Sequence, residues 1–130
     1  MSALLRAAVR TVFLGAALSA AFAVQAAGDA GGGKALFDKT CANCHSIEAG
    51  VNKVGPTLFD IVDRPIASVP GYDYSKKMRA VGKDWKVWNE KRLGAYLTNP
   101  RQVLHGVKMF FAVPDAQDRS DVIAYLNTLR

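Results

Sequence analysis

Five consecutive residues, Cys41-Ala42-Asn43-Cys44-His45, hold both cysteines of the chain and one of its two histidines. Two thiols with two residues between them, followed at once by histidine, have the spacing of a c-type haem attachment site. Each thiol adds to one vinyl group of the porphyrin and becomes a thioether. The imidazole then lies under the ring as an iron ligand. Three other chemistries use the same residue types. The pair can close a disulfide in an exported protein. It can act as a thioredoxin-like redox couple, which needs a βαβ context that the sequence does not show. It can be half of a zinc site, but four ligands are needed and His105 is the only further histidine.

A haem iron held by one histidine takes a sixth ligand or keeps an open site. Methionine is a common partner in electron-transfer proteins, because its soft thioether raises the reduction potential. Outside the first residues of the chain, the candidates are Met78, Met109 and His105. Met78 lies among Lys76, Lys77 and Arg79 and reads as a surface or packing methionine. Met109 follows a loop containing Gly106 and precedes Phe110-Phe111, whose rings are expected to keep water from that side of the iron. His105 is the minority alternative.

The elements that must position these groups read as helices and loops. A helix is expected from about Gly32 to the cysteines, with Leu36, Phe37 and Thr40-Cys41 on one buried face. From Ser46 to Tyr74, Gly50, Gly55-Pro56, Pro65 and Pro70-Gly71 punctuate a stretch without periodicity. So long a loop is unusual in a compact domain unless it packs on something else, and a haem would serve. A short helix is expected from Tyr74 to Val81. Another runs from Trp88 to Thr98, with Asn89 as cap, Leu93, Tyr96 and Leu97 as its apolar stripe, and Pro100 as its stop. Arg101 to Pro114 reads as a loop. Asp115 caps a last helix, Asp118 adds negative charge to its first turn, and Val122, Ile123, Leu126 and Leu129 form its buried stripe. No strand alternation or internal repeat is present, so the class is all-α.

The chain has 130 residues and a net charge of +6. Arg6 and Arg10 precede an uncharged run from Thr11 to Ala27, and Val24-Gln25-Ala26 gives a cleavage-like end. Residues 1–26 therefore read as a secretory signal peptide, with cleavage after Ala26, or after Ala27, against retention as a membrane anchor. The mature domain would be 27–130, with 15 basic and 11 acidic residues. One small domain of this size is marginal by itself, so the haem-free chain is expected to be largely unfolded. Export places attachment and function in the periplasm. The moderate basic excess suits acidic protein partners, and the compartment and scattered charge argue against nucleic acid.

Many further points line up with one family. Gly28-Asp29, Gly33-Lys34 and Phe37 precede the cysteines. Lys53-Val54-Gly55-Pro56-Thr57-Leu58, Arg64, Pro70-Gly71-Tyr72 and Tyr74 follow them. Next come Trp88, Leu93, Tyr96-Leu97, Asn99-Pro100 and Lys108-Met109, then Arg119 and Ile123-Ala124-Tyr125-Leu126. Over nearly all of 28–129 the chain resembles a class I c-type cytochrome, the small soluble type of mitochondria and bacterial periplasms. The resemblance implies the small cytochrome c fold, with three main helices plus short helices and loops around one haem c joined through Cys41 and Cys44. It implies His45 and Met109 as axial ligands and a Pro56 carbonyl accepting from His45 Nδ1. Arg64, Tyr74 and Trp88 would hold a buried haem propionate, and Tyr96 would neighbour the Met109 sulfur. Gly33, Phe37, Tyr125 and Leu126 would join the terminal helices. The sequence departs from the family at His105-Gly106-Val107, where proline and threonine are usual near the distal ligand. Thr57 and Val113 replace a common asparagine and a frequent glycine.

The resemblance implies a monomeric periplasmic carrier of single electrons, not an enzyme. Lys39, Lys53, Arg101 and Lys108 flank the ligand-bearing segments, and some of them are expected to ring the exposed haem edge and steer acidic redox partners. The rival functions are a haem subunit of, or dedicated acceptor for, a dehydrogenase or oxidase complex, and an open-site peroxidase. For the latter, His105 alone supplies no distal acid–base set. Methionine ligation predicts a weak near-infrared sulfur-to-iron band in the ferric protein. The band is expected to vanish in Met109→Ala and persist in Met78→Ala; a high-spin wild-type spectrum would instead indicate an open site.

Overall fold

A computed structural model describes residues 27–130; the expected signal peptide, 1–26, lies outside the described residues. Among them are five α-helices: α1 (Ala30–Lys39), α2 (Lys76–Trp85), α3 (Glu90–Thr98), α4 (Pro100–Val103) and α5 (Ala116–Leu126). A 3₁₀ turn, Cys41–Asn43, follows α1. The only β-type pairing among the described residues is an isolated bridge between Pro65 and Val87. The architecture is the expected all-α one: α1 and α3 pack on α5 as a frame, α2 is a fourth helix of similar length, and α4 is a single turn.

Helix α1 begins two residues earlier than expected. The Asp29 carboxylate accepts from the amides of Gly31 and Gly32, at 3.1 and 3.0 Å, and so satisfies donors that a helix start leaves free. The poor helix propensity of three consecutive glycines is overridden by packing. A Cβ on Gly33 would lie 1.9 Å from the Asp121 carbonyl oxygen, and one on Gly28 would lie 2.1 Å from that of Ser120. Glycine therefore lets the α1 and α5 backbones touch. Phe37 and Tyr125 seal the contact, with ring centroids 5.5 Å apart. Of the face expected to be buried on α1, Phe37 is buried, whereas Leu36, Thr40 and Cys41 are half-buried.

Helix α2 runs four residues past Val81. Gly82 does not end it, because its bare Cα faces Ile66, whose carbonyl would stand 2.9 Å from a Cβ there. The Ser75 hydroxyl caps its start through Met78 N, at 3.1 Å. Met78 is buried in the core, which excludes the surface alternative and leaves packing. Asn89 caps α3 through Arg92 N, and Leu93, Tyr96 and Leu97 are buried as expected. Pro100 is the clearest correction. It stops α3 but also opens α4, since Asn99 caps the new turn and a proline lacks only the amide that a first turn does not use. Asp115 caps α5 through Asp118 N, at 2.9 Å. Val122, Ile123 and Leu126 are buried, together with Tyr125, while Leu129 falls beyond the helix and is half-buried.

The long stretch between the 3₁₀ turn and α2 holds no helix, as expected. Two paired backbone segments anchor it. Asp63 N donates to Trp88 O at 2.8 Å, Trp88 N to Arg64 O at 2.9 Å, and Ile66 N to Lys86 O at 2.9 Å. No described helix is long and apolar enough to cross a membrane.

The two kinds of glycine in α1 give opposite expectations. Gly33→Ala forces the α1 and α5 backbones apart and is expected to cost about 3 kcal/mol or more. Gly31 faces only the Asp29 carboxylate at 3.5 Å, so Gly31→Ala is expected to stabilise by about 0.5–1 kcal/mol. Urea unfolding of the haem-loaded variants measures both.

Candidate functional site

The helix frame delivers the cysteines at the end of α1. The turn places both half-buried, and neither is in a disulfide. Burial pushes the Cys41 thiol up from its ordinary value, against a weaker opposing contact from the Thr40 hydroxyl. Among the described residues no group of three or more His, Cys, Asp or Glu side chains is placed to hold a metal ion. The zinc reading therefore has no ligand set there.

His45 is held in one orientation. Its Nδ1 lies 2.7 Å from the Pro56 carbonyl oxygen, which can only accept, so Nδ1 carries the proton. Nε2 then keeps its lone pair for a metal, and the bond adds to its basicity. Burial lowers the imidazole pKa, opposed by the Pro56 bond, with the nearby Arg64 and Lys53 charges lowering it further. The imidazole is thus kept neutral, the form that ligates. Gly55 makes this approach possible: a Cβ there would stand 2.3 Å from His45 Cε1 and 2.6 Å from Nδ1. Gly55 N also donates to Cys44 O at 2.7 Å, which joins the loop directly to the cysteine turn.

Arg64 organises the loop beneath. Its Nη1 donates to Phe59 O at 2.6 Å and its Nη2 to Thr57 O at 3.0 Å. Burial lowers its pKa, opposed by Tyr74 and Asp60, and a guanidinium stays charged regardless. Its Nε is buried and has no partner. A buried donor on a cation without an acceptor is costly, and an anionic oxygen placed there would satisfy it. Haem carries propionates, so this orphan donor fits a haem. Tyr74 Oη accepts from Val69 N at 3.3 Å and leaves its own proton available to donate. Burial raises the Tyr74 pKa, with the Val69 bond and Arg64 opposing. The backbone bond from Trp88 N to Arg64 O brings the Trp88 end of α3 to the same place. Trp88 is buried, 5.1 Å from the Tyr96 ring and 6.1 Å from Trp85. Burial raises the Tyr96 hydroxyl pKa strongly.

Met109 is half-buried against the core cluster that contains Tyr96, Leu104 and Val107. The buried Val107 and Leu104 anchor the loop that lacks the family's proline. The two phenylalanines that follow Met109 are both solvent-accessible in the protein alone. Phe110 is 75% exposed and Phe111 41%, and the Arg101 guanidinium lies 6.0 Å from the Phe110 ring centroid. Thr57, the other departure, is satisfied: its hydroxyl donates to Glu48 O at 2.7 Å and accepts from Phe59 N at 3.1 Å.

Two site features had no clear signal. Asn52 bridges loops, with Oδ1 accepting from Thr57 N at 3.0 Å and Nδ2 donating to Pro70 O at 3.1 Å. Lys53 and Lys108 are not free cations, since they donate at 2.6 Å to Ala42 O and Asp73 O respectively. Only the fold shows such partners.

A helical frame, a thiol pair on a short turn and a pre-oriented neutral histidine define a covalent-haem domain for electron transfer. The chain belongs to the cytochrome c family, whose profile matches residues 30–130. It is 46% identical over 104 residues to a cytochrome c-type cyt cy of Rhodobacter capsulatus, covering 78% of this chain and 50% of that one. It is 42% identical to cytochrome c2 of Rhodopila globiformis, covering 79% of this chain and 95% of that one. The chain thus spans about half of the first relative and nearly all of the second. Among solved structures, cytochrome c2 from Rhodospirillum centenum superposes with a TM-score of 0.71 at 35% identity, covering 78% of this chain and 98% of that one. Members of this family bind haem c covalently and carry electrons, and Cys41 and Cys44 stand at the attachment positions.

Replacing Arg64 probes the loop beneath the site. Arg64→Met unpairs two carbonyls and is expected to cost about 2–4 kcal/mol in urea unfolding of the haem-loaded protein. Arg64→Lys is expected to recover less than half, because one ammonium cannot reproduce the guanidinium fork.

Proposed function

We propose that residues 27–130 form a monomeric periplasmic carrier, released from a signal peptide at 1–26, that passes single electrons between redox proteins. The bound haem supplies one-electron ferrous–ferric chemistry. The protein's part would be to supply both ligands to the iron, His45 and Met109. Arg64 Nε, the Tyr74 hydroxyl and Trp88 would hold a propionate, and Tyr96 would pack beside the Met109 thioether. With both axial positions filled by the chain itself, no position is left for a substrate, which argues for a carrier rather than a peroxidase. The observation that carries this reading is the His45 imidazole, fixed in orientation and tautomer by the Pro56 carbonyl and carried on the same five residues that offer the thiols.

The docking surface would be cationic. Lys39 is exposed and makes no ion pair among the described residues, and Arg101 is exposed beside Phe110. These two are better candidates for meeting acidic partners than Lys53 and Lys108, which are tied internally. An exposed aromatic beside such cations gives a docking face an apolar centre.

Expression with a haem-attachment system tests the reading. The product is expected in the periplasmic fraction, starting at Ala27. Charge reversal in Lys39→Glu with Arg101→Glu is expected to slow electron transfer to an acidic redox protein about tenfold at low ionic strength, with the difference closing at high salt. Cytoplasmic retention of the haem-loaded chain would refute the location, and equal rates at low salt would refute the docking face.

A further inference from the structure

Residues 70–74 form a strap between the loop that holds His45 and the loop that carries Met109. On the His45 side, Asn52 Nδ2 donates to Pro70 O at 3.1 Å and Tyr72 Oη donates to Val54 O at 3.0 Å. On the Met109 side, Lys108 Nζ donates to Asp73 O at 2.6 Å and to the Asp73 carboxylate at 3.3 Å. The same ammonium lies 5.9 Å from the Tyr72 ring centroid. Arg79 Nη2 holds the other carboxylate oxygen at 2.9 Å. Asp73 is therefore fixed by two cations from different elements. Of these only Lys108 reaches the distal loop, where it is bonded directly to Met109 in sequence.

That loop needs an external hold. Gly106 sits at φ +88°, where it contributes no stiffness of its own, and no proline occurs between Pro100 and Pro114. Leu104 and Val107 anchor it to the core from below, yet beyond Val107 the next fixed point is the Lys108 side chain on Asp73.

We propose that Asp73 is a positioning residue for Met109: its carboxylate and carbonyl clamp Lys108 and so keep the thioether on the iron. The clamp takes the place of stiffness that the loop's own sequence lacks, and the strap couples the two sides of the haem. This rests on Met109 being the distal ligand, and the experiment separates the two claims.

The test titrates imidazole into the ferric, haem-loaded protein while the near-infrared sulfur-to-iron band is followed. Imidazole binds only when Met109 has left, so its apparent affinity reports the released fraction of the loop. At low ionic strength Asp73→Ala is expected to tighten imidazole binding about threefold, the range of an exposed ion pair. Lys108→Ala removes the carbonyl bond as well and is expected to tighten it about tenfold. Asp73→Glu is expected to bind imidazole like the wild type. Asp84→Asn, which makes the same charge change as loss of Asp73 without touching Lys108, is expected to leave binding unchanged. Added salt is expected to bring the wild type towards Asp73→Ala and to leave that variant unmoved. A wild-type band with identical imidazole affinity in Asp73→Ala would overturn the clamp alone. A wild type without the band would overturn Met109 as ligand and the clamp with it.

Discussion

The half-buried Arg64 guanidinium, with its Nε fully enclosed, is the interaction on which the irregular half of this molecule depends. A charge removed from water must be surrounded by acceptors, or it is among the most expensive groups a small protein can hold. Two loop carbonyls, those of Thr57 and Phe59, turn inward to meet it, and its own carbonyl receives Trp88 N. The side chain thus fixes the turn after Pro56, and the backbone carbonyl of the same residue, through Trp88, ties it to the start of α3. Its remaining donor, Nε, has no acceptor in the protein. The loop is organised around a cation that still has one donor to give, and a haem propionate is the partner proposed for it.

The helices answer a different constraint. Their task is rigidity, and they reach it by letting backbones touch where side chains would keep them apart. Gly28 and Gly33 bring α1 against α5, Gly82 brings α2 against Ile66, and Gly55 brings a loop against the His45 ring. Each is a position where any side chain is too large. An electron carrier gains from this arrangement, since little movement of the ligands on changing oxidation state means little energy spent on reorganisation. The chain combines a frame held by close contact with loops held by hydrogen bonds to a few buried polar groups.

The starts of α3 and α5 were legible because caps are local chemistry. Asn89 and Asp115 mark their helices by side-chain oxygens that reach amides three residues on. Misreadings came where one residue type serves two purposes. Pro100 ends one helix and begins another, and Gly82 permits packing where a glycine usually suggests an end. Lys53 and Lys108 are exposed charges as expected, and each also donates to a carbonyl, which a count of charges cannot show.

The sequence by itself determined the chemistry: two thiols and an imidazole on five residues, a methionine at a suitable distance, and an all-α pattern of stripes and caps. These depend on neighbours within a turn or two, or on covalent reactivity, and both are written along the chain. The tertiary structure decided which groups are oriented, paired or left over. The Pro56 carbonyl on His45 had been implied by resemblance, but Gly55 beneath the ring, the orphan Nε of Arg64 and the hold of Asp73 on Lys108 were not. Such contacts join residues from separate loops, with Asp73 and Lys108 35 positions apart, and their partners are chosen by how the chain closes on itself.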